Sequence, residues 1–167
     1  MINPINIMTL AGMHDKKNMY QSILSFPEQI RKSHEIMKNI SFSRKESISD
    51  IIICGMGGSA IGGDLCKTLL YSSAIKLNIY VNRGYTLPNW TSKSSLVIIS
   101  SYSGNTEETV SCYNECIEKN ISPIVITTGG YLLDKAKSNN NIYIEVPKGY
   151  QPRAALGFSF SLIFLTL

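Results

Sequence analysis

From residue 51 onward the chain alternates between short unbroken apolar runs and longer stretches with helical spacing. The runs are Ile51 to Cys54, Leu77 to Val81, Leu96 to Ile99, Pro123 to Ile126 and Ile142 to Val146. Helical spacing fills much of the sequence between them, over about 60–71, 106–119 and 132–136. Runs this apolar lack the in-out alternation of a half-exposed strand, so they predict strands buried on both faces, as in a parallel sheet covered by helices. The expected fold is α/β: a three-layer αβα sandwich around a five-stranded parallel sheet with flavodoxin-like order. In that order the first and third strands are neighbours and the chain leaves them in opposite directions, opening a crevice at their carboxyl ends. The segments 55–59 and 101–106 are then expected to face each other across it.

Before residue 50 the pattern is weaker. Met19, Ile23, Phe26, Ile30 and Ile36 have near-helical spacing interrupted at Pro27, which predicts two short helices acting as an arm. Residues 1–49 therefore form an expected helical leader, and 50–167 the sheet domain. The closing apolar run, Ala154 to Leu167, is shorter than the ~20 residues a membrane-spanning helix needs, so a core or interface helix is expected. No Gly, Asn or basic residue follows to satisfy its last carbonyls, which gives the expectation of a chain cut short.

Charge and cysteine content narrow the function classes. Sixteen Lys and Arg against 12 Asp and Glu leave a net charge of +4. The basic residues are scattered, so neither nucleic acid nor a membrane surface is an expected partner. Four cysteines without a paired close spacing point to a reducing, cytoplasmic setting.

The chemistry concentrates in the two strand-end segments. The first, Gly55-Met56-Gly57-Gly58-Ser59, supplies three glycines before a helix start, with the Ser59 hydroxyl at that start. Such a backbone turns sharply and lets an anion approach main-chain N–H groups. The second, Ser101-Tyr102-Ser103-Gly104-Asn105-Thr106, offers three hydroxyls and the free amides of the next helix, whose dipole favours negative charge. Together they describe a small anion socket of mainly neutral donors. The competing reading of the second segment is an ordinary helix cap, Asn105 or Ser103 followed by Glu107 or Glu108.

Gly55, Gly57 and Ala60 also satisfy the permissive G-x-G-x-x-G/A dinucleotide pattern. The second strand ends Val81-Asn82-Arg83, without the acid that would hold a ribose diol, although Arg83 offers a charge for a 2′-phosphate. A third segment, Gln151-Pro152-Arg153, sets Arg153 at the start of the final helix, where it is either a substrate contact or a surface arginine. Cys112 and Cys116, four apart on one helix face, lack two further ligands for a metal and read as small buried hydrophobes. His14 and His34 read as surface or packing residues of the leader, and Tyr85 and Trp90 have no assigned role.

The three segments "GMGGSAIGGD", "SYSGNTEETV" and "QPRAALGFSF" together resemble the bifunctional phosphoglucose/phosphomannose isomerases of the sugar isomerase (SIS) superfamily. The resemblance runs from about residue 50 to the end, and "FPEQI" at 26–30 is similar to the family's leader. It implies interconversion of glucose 6-phosphate or mannose 6-phosphate with fructose 6-phosphate by enediolate proton transfer, without metal or organic cofactor, in a homodimer of two-domain subunits. Carried onto matching positions, it makes Gly58 and Ser59 contacts of the sugar phosphate, and Ser101, Ser103 and Thr106 its phosphate-binding hydroxyls. Arg153 becomes the arginine that binds substrate and steadies the intermediate. The family's catalytic glutamate, ring-opening histidine and a further lysine are expected after Leu167, in a second domain. Glu107 and Glu108 match acids of the motif but stand where they complement a helix dipole. A chain with the socket and without the proton carriers is expected to bind substrate better than it turns it over. The alternative is a non-catalytic module that senses a phosphosugar.

Overall fold

Ile51, Ile52 and Ile53 register against Leu96, Val97 and Ile98 on one side and Ile79, Tyr80 and Val81 on the other, all in parallel. A computed structural model of the chain describes residues 12–42, 47–71 and 77–167. The expected leader residues 1–11, and 43–46 of the polar stretch before the sheet, lie outside the described residues.

The sheet contains β1 (Asp50–Gly55), β2 (Asn78–Asn82), β3 (Ser95–Ser101), β4 (Ile124–Thr127) and β5 (Tyr143–Glu145), in the order β2-β1-β3-β4-β5. Every pairing is parallel. This is the expected order, with β1 and β3 adjacent at the point where the winding reverses. Alternate residues of each strand feed two separate cores, as the two-residue repeat of a strand requires. Ile51, Ile53, Ile98, Ile126 and Ile144 pack with Cys66, Phe158 and Leu162 on one face. On the other face Ile52, Cys54, Val97, Ile99 and Val125 pack with Cys112, Tyr113 and Leu132. A short leader helix, α1 (Met19–Leu24), buries none of its residues. The first core is supplied by α2 (Phe26–Met37), α3 (Gly57–Leu70) and α6 (Leu156–Thr166), the second by α4 (Glu107–Glu118) and α5 (Gly130–Ser138).

Three expectations are corrected. The glycine-rich segment is not a loop up to Ser59: α3 starts at Gly57, so Gly58 and Ser59 lie in its first turn. Arg153 does not open the last helix but sits in a separate 3-10 turn, Pro152–Ala154, ahead of α6. The apolar pattern of the leader marks the buried face only in part: Ile36 packs against the first core, and α1 buries no residue. Ile23 and Ile30 are exposed, whereas Gln29 and Ser33 are the buried residues of α2. The two expected leader helices are present, but they part at Ser25, and Pro27 occupies the first turn of α2, where a missing N–H costs nothing. Both Asn120 and Asn140 adopt a left-handed conformation just past α4 and α5, and let the next residue's N–H reach back to Cys116 and Ala136.

Candidate functional site

The carboxyl ends of β1 and β3 stand side by side, with Gly55 registered against Ser100. Ser59 from the first segment, and Ser100 and Tyr102 at the end of β3, line one narrow crevice together with Pro152, Ala155 and Ser159. The three segments singled out in the sequence therefore meet at one rim of the sheet. The crevice holds only about 10 Å³.

Gly58 shows why the first segment needs a residue without a side chain. A Cβ there would lie 3.1 Å from the Pro152 carbonyl oxygen and 3.5 Å from the Arg153 Cα, so the α3 start and the Arg153 turn touch backbone to backbone. The Gly58 carbonyl accepts from the Ser159 hydroxyl at 3.2 Å, tying it to α6 as well. Ser59 is half-buried and Arg153 exposed, its guanidinium in no ion pair among the described residues.

The second segment is knotted from within. Ser101 is buried; its hydroxyl donates to Thr106 Oγ1 at 3.0 Å and accepts from the Gly104 N–H at 3.2 Å. Ser103 is exposed, and its hydroxyl accepts from the Asn105 N–H at 3.2 Å. Thr106, half-buried, is the N-cap residue of α4, yet no side chain among the described residues caps the first-turn amides. The two residues expected to cap are occupied elsewhere. Asn105 Oδ1 is engaged by the Tyr131 N–H of α5 at 2.9 Å, and the Ser103 hydroxyl turns back on Asn105. Amides at a helix N-terminus that no side chain satisfies are the ordinary recipients of an anion. Gly104 has φ +71°, and a Cβ there would overlap the Gly129 carbonyl oxygen. Only glycine fits where the β3 and β4 loops press together.

Residues the motifs did not flag also build the rim. Tyr102, half-buried between the two site serines in sequence, donates to the Pro147 carbonyl at 3.2 Å and accepts from the Tyr150 N–H at 3.0 Å. It thus ties the β3 loop to the segment leading into Arg153. Burial holds its phenol above the ordinary tyrosine range. The Lys148 ammonium stands 3.6 Å from where a Gly129 Cβ would be, bringing a positive charge to the rim. Tyr102 carries no spacing signal, because its partners lie 45 and 48 positions away.

The competing chemistries look different in three dimensions. Arg83, the residue available to a 2′-phosphate, pairs with Asp64 of α3. The thiols of Cys54, Cys112 and Cys116 are buried as expected. A hydrogen bond to Cys112, then burial, keeps the Cys54 thiol well above its ordinary pKa, and the Asn82 amide donates to Cys112 Sγ at 3.3 Å. No group of three or more His, Cys, Asp or Glu among the described residues has the arrangement of a metal site. No described helix is long and apolar enough to cross a membrane. His14 and His34 are exposed on the leader. Tyr85 donates to Glu107 Oε2 at 3.2 Å, and Trp90 meets Tyr80 edge-on at 5.8 Å.

No family model matches the chain. A bifunctional phosphoglucose/phosphomannose isomerase of Caldicellulosiruptor bescii is 48% identical over 143 residues, covering 85% of this chain and 42% of the relative. The enzyme of that name from Aquifex aeolicus is 43% identical over 68% of this chain and 35% of its own. Among solved structures, the C-terminal domain of glucosamine-fructose-6-phosphate aminotransferase from Francisella tularensis superposes with a TM-score of 0.61 at 19% identity, over 90% of this chain and 48% of that one. That likeness shows a shared fold. The chain spans less than half the length of the curated relatives it matches. With a five-stranded parallel SIS-type sheet and this sequence identity, the chain belongs to the bifunctional phosphoglucose/phosphomannose isomerase family.

Proposed function

We propose that this chain is the phosphosugar-binding domain of an isomerase that interconverts glucose 6-phosphate or mannose 6-phosphate with fructose 6-phosphate. The observation that carries the reading is the uncapped start of α4, surrounded by the Ser101, Ser103 and Thr106 hydroxyls, at the same rim as Ser59 and the Arg153 turn. A phosphate there accepts neutral N–H and O–H donors and sits at the positive end of the α4 dipole. The crevice between Ser59 and Tyr102 is too narrow for a sugar, so the ligand lies on the rim above it. Arg153, close to Gly58 through its backbone and free of an ion pair among the described residues, is the charge that reaches the sugar oxygens.

Moving a proton between C1 and C2 requires a base, and opening the ring requires an acid and a base. Arg153 serves another step: fixed positive charge beside O1 or O2 stabilises the enediolate that forms between the two proton transfers. The proton carriers belong to the remaining length that the relatives possess, in a second sheet domain of a homodimer. Bound to this chain alone, the sugar phosphate is held and not converted.

Fructose 6-phosphate is the test ligand. At a concentration of 100 times its Kd, binding to the folded chain stabilises it by about 2.7 kcal/mol, which a thermal melt reads directly. Stabilisation without glucose 6-phosphate formation is the expected result for this chain. The unstabilised melt of a chain that also leaves fructose 6-phosphate unchanged overturns the reading.

The same binding step serves a module that senses a phosphosugar without converting it. The exposed leader position of both described histidines favours that second reading for the chain by itself. Joining the chain to the remaining length of a relative and following glucose 6-phosphate formation separates the two.

A further inference from the structure

Helix α2 buries an amide where its sequence offers isoleucine. Gln29 is wholly buried while Ile23 and Ile30 on the neighbouring leader positions face outward. Its Nε2 group donates to the Ala154 carbonyl at 2.8 Å, the Ser22 carbonyl at 3.1 Å and Ser25 Oγ at 3.2 Å. The opposite orientation of the amide would set Oε1 against three oxygens, so the donor side is fixed by its neighbours. Oε1 is left buried without a hydrogen-bond partner among the described residues. Burying an amide with one end unsatisfied destabilises the fold relative to an apolar side chain of similar volume. An apolar side chain would in turn leave the buried Ala154 carbonyl without its donor, so it is the carbonyl it holds, not its own burial, that accounts for glutamine at this position.

Arg153 lies in a turn of three residues, closed by the Ala154 N–H to the Gln151 carbonyl at 2.8 Å. Its own side chain is exposed and without an ion pair among the described residues, so the turn's backbone alone sets where the guanidinium starts. On one side that backbone rests against Gly58, and on the other its Ala154 carbonyl is gripped by Gln29. Room for the amide exists because residue 157 has no side chain. A Cβ on Gly157 would lie 2.7 Å from Gln29 Oε1 and 2.8 Å from Gln29 Cβ.

We propose that Gln29 is a positioning residue for Arg153: it clamps the Pro152–Ala154 turn from the leader helix and so sets the height of the guanidinium over the phosphosugar rim. This rests on the role given to Arg153 above. The leader is then part of the binding site's support, contributing through a single amide 125 positions away in sequence from the carbonyl it holds.

A double-mutant cycle tests the link, with fructose 6-phosphate titrated calorimetrically into the chain. Gln29→Met keeps the volume, removes the donor and removes the orphan oxygen, so its melting temperature stays within a few degrees of the parent. Its affinity falls by roughly three- to tenfold, the worth of one hydrogen bond. In the Arg153→Ala background the same substitution produces no further loss, whereas in the Ser103→Ala background it produces its full loss. A merely structural role would weaken both backgrounds alike, and that result overturns the proposal, as does unchanged affinity in Gln29→Met. If Arg153→Ala binds as tightly as the parent, the role of Arg153 itself has fallen and this inference falls with it. An Arg153→Ala loss that adds to the Gln29→Met loss overturns this proposal and leaves the role of Arg153 standing. A second measurement on the unmutated chain does not depend on how Gln29→Met folds. The side-chain amide nitrogen resonance of Gln29 shifts on adding fructose 6-phosphate to the parent and stays in place in Arg153→Ala. An unmoved resonance in the parent overturns the proposal.

Discussion

The two rims of the sheet are built on opposite terms. At the amino rim, Phe42, Ile48, Leu77, Leu96, Ile124 and Leu167 border a cavity of about 630 Å³, roomy and mostly apolar. At the carboxyl rim the crevice between Ser59, Tyr102 and Pro152 is about 10 Å³. Volume alone would send a ligand to the wrong end. What the carboxyl rim has is density of oriented donors: hydroxyls already hydrogen-bonded to one another, helix amides without a cap, and backbones held in contact at Gly58 and Gly104. Recognition of a phosphoryl group depends on fixed N–H and O–H directions, so the tighter rim is the better phosphate site. The amino rim is therefore expected to tolerate a change in shape that the carboxyl rim would not.

The sharpest way to break that contrast is Gly104→Ala. The new methyl would overlap the Gly129 carbonyl oxygen and require a left-handed backbone at a residue that resists it. The two loops then separate or the chain unfolds, and the expected cost is roughly 4 kcal/mol or more in a denaturant melt. An unchanged melt would mean that the loops are not pressed together as described.

At the amino rim, Ile124→Ala enlarges a space that already exists. Ile124 is 7% exposed and belongs to the first core. The expected loss is about 2–3 kcal/mol of stability, near the low end for such a truncation. Its affinity for fructose 6-phosphate, measured well below the melting temperature, should match the parent. A matching loss of affinity would show that the rims are coupled through β4 and that the contrast is false.

Arg153→Ala and Ser103→Ala invert that profile. Both side chains are exposed, so the apo melt changes by no more than about 0.5 kcal/mol. Fructose 6-phosphate binding weakens by about 1–3 kcal/mol for loss of a charged or hydroxyl donor, and titration calorimetry reads it. Loss of stability with affinity preserved would remove these residues from the site.

The sheet is legible in the sequence because buried parallel strands leave uninterrupted apolar runs, and Ile51 to Cys54 and Leu96 to Ile99 are such runs. Strand order is expected from the fold class, and the glycine and hydroxyl groups after the first and third runs fit the point where the winding reverses. The leader misleads for a physical reason. Periodicity assumes that the buried face is the apolar one, and α2 buries Gln29, whose amide meets the carbonyl of a distant turn, and Ser33, whose hydroxyl donates to the Gln29 carbonyl one turn back. The same blindness hides Tyr102, whose hydrogen-bond partners are 45 and 48 residues away. Glycines read as loop, which puts the expected start of α3 three residues late, although Gly57 and Gly58 open the helix so that it can rest against the Arg153 turn. Local pattern sees what a residue does for its own element and misses what it does for another.

Tyr102→Phe gives the smallest effect and the finest probe of the carboxyl rim. It removes the hydroxyl that donates to Pro147 and accepts from Tyr150, leaving the ring in place. Loss of these two bonds costs about 1–2 kcal/mol of stability at neutral pH and weakens fructose 6-phosphate binding a few-fold, by loosening the approach to Arg153. The pH dependence then isolates the phenol. In the folded chain burial raises its pKa above the unfolded value of about 10. As pH rises past that value the unfolded phenol loses its proton while the folded one retains it. The unfolded state therefore binds fewer protons, and stability falls with increasing pH. Phenylalanine cannot titrate, so the variant loses stability less steeply above about pH 10, and the difference between the two proteins narrows there. Parallel curves for parent and variant across that range would place the Tyr102 hydroxyl in water, and would detach the β3 loop from the segment that carries Arg153.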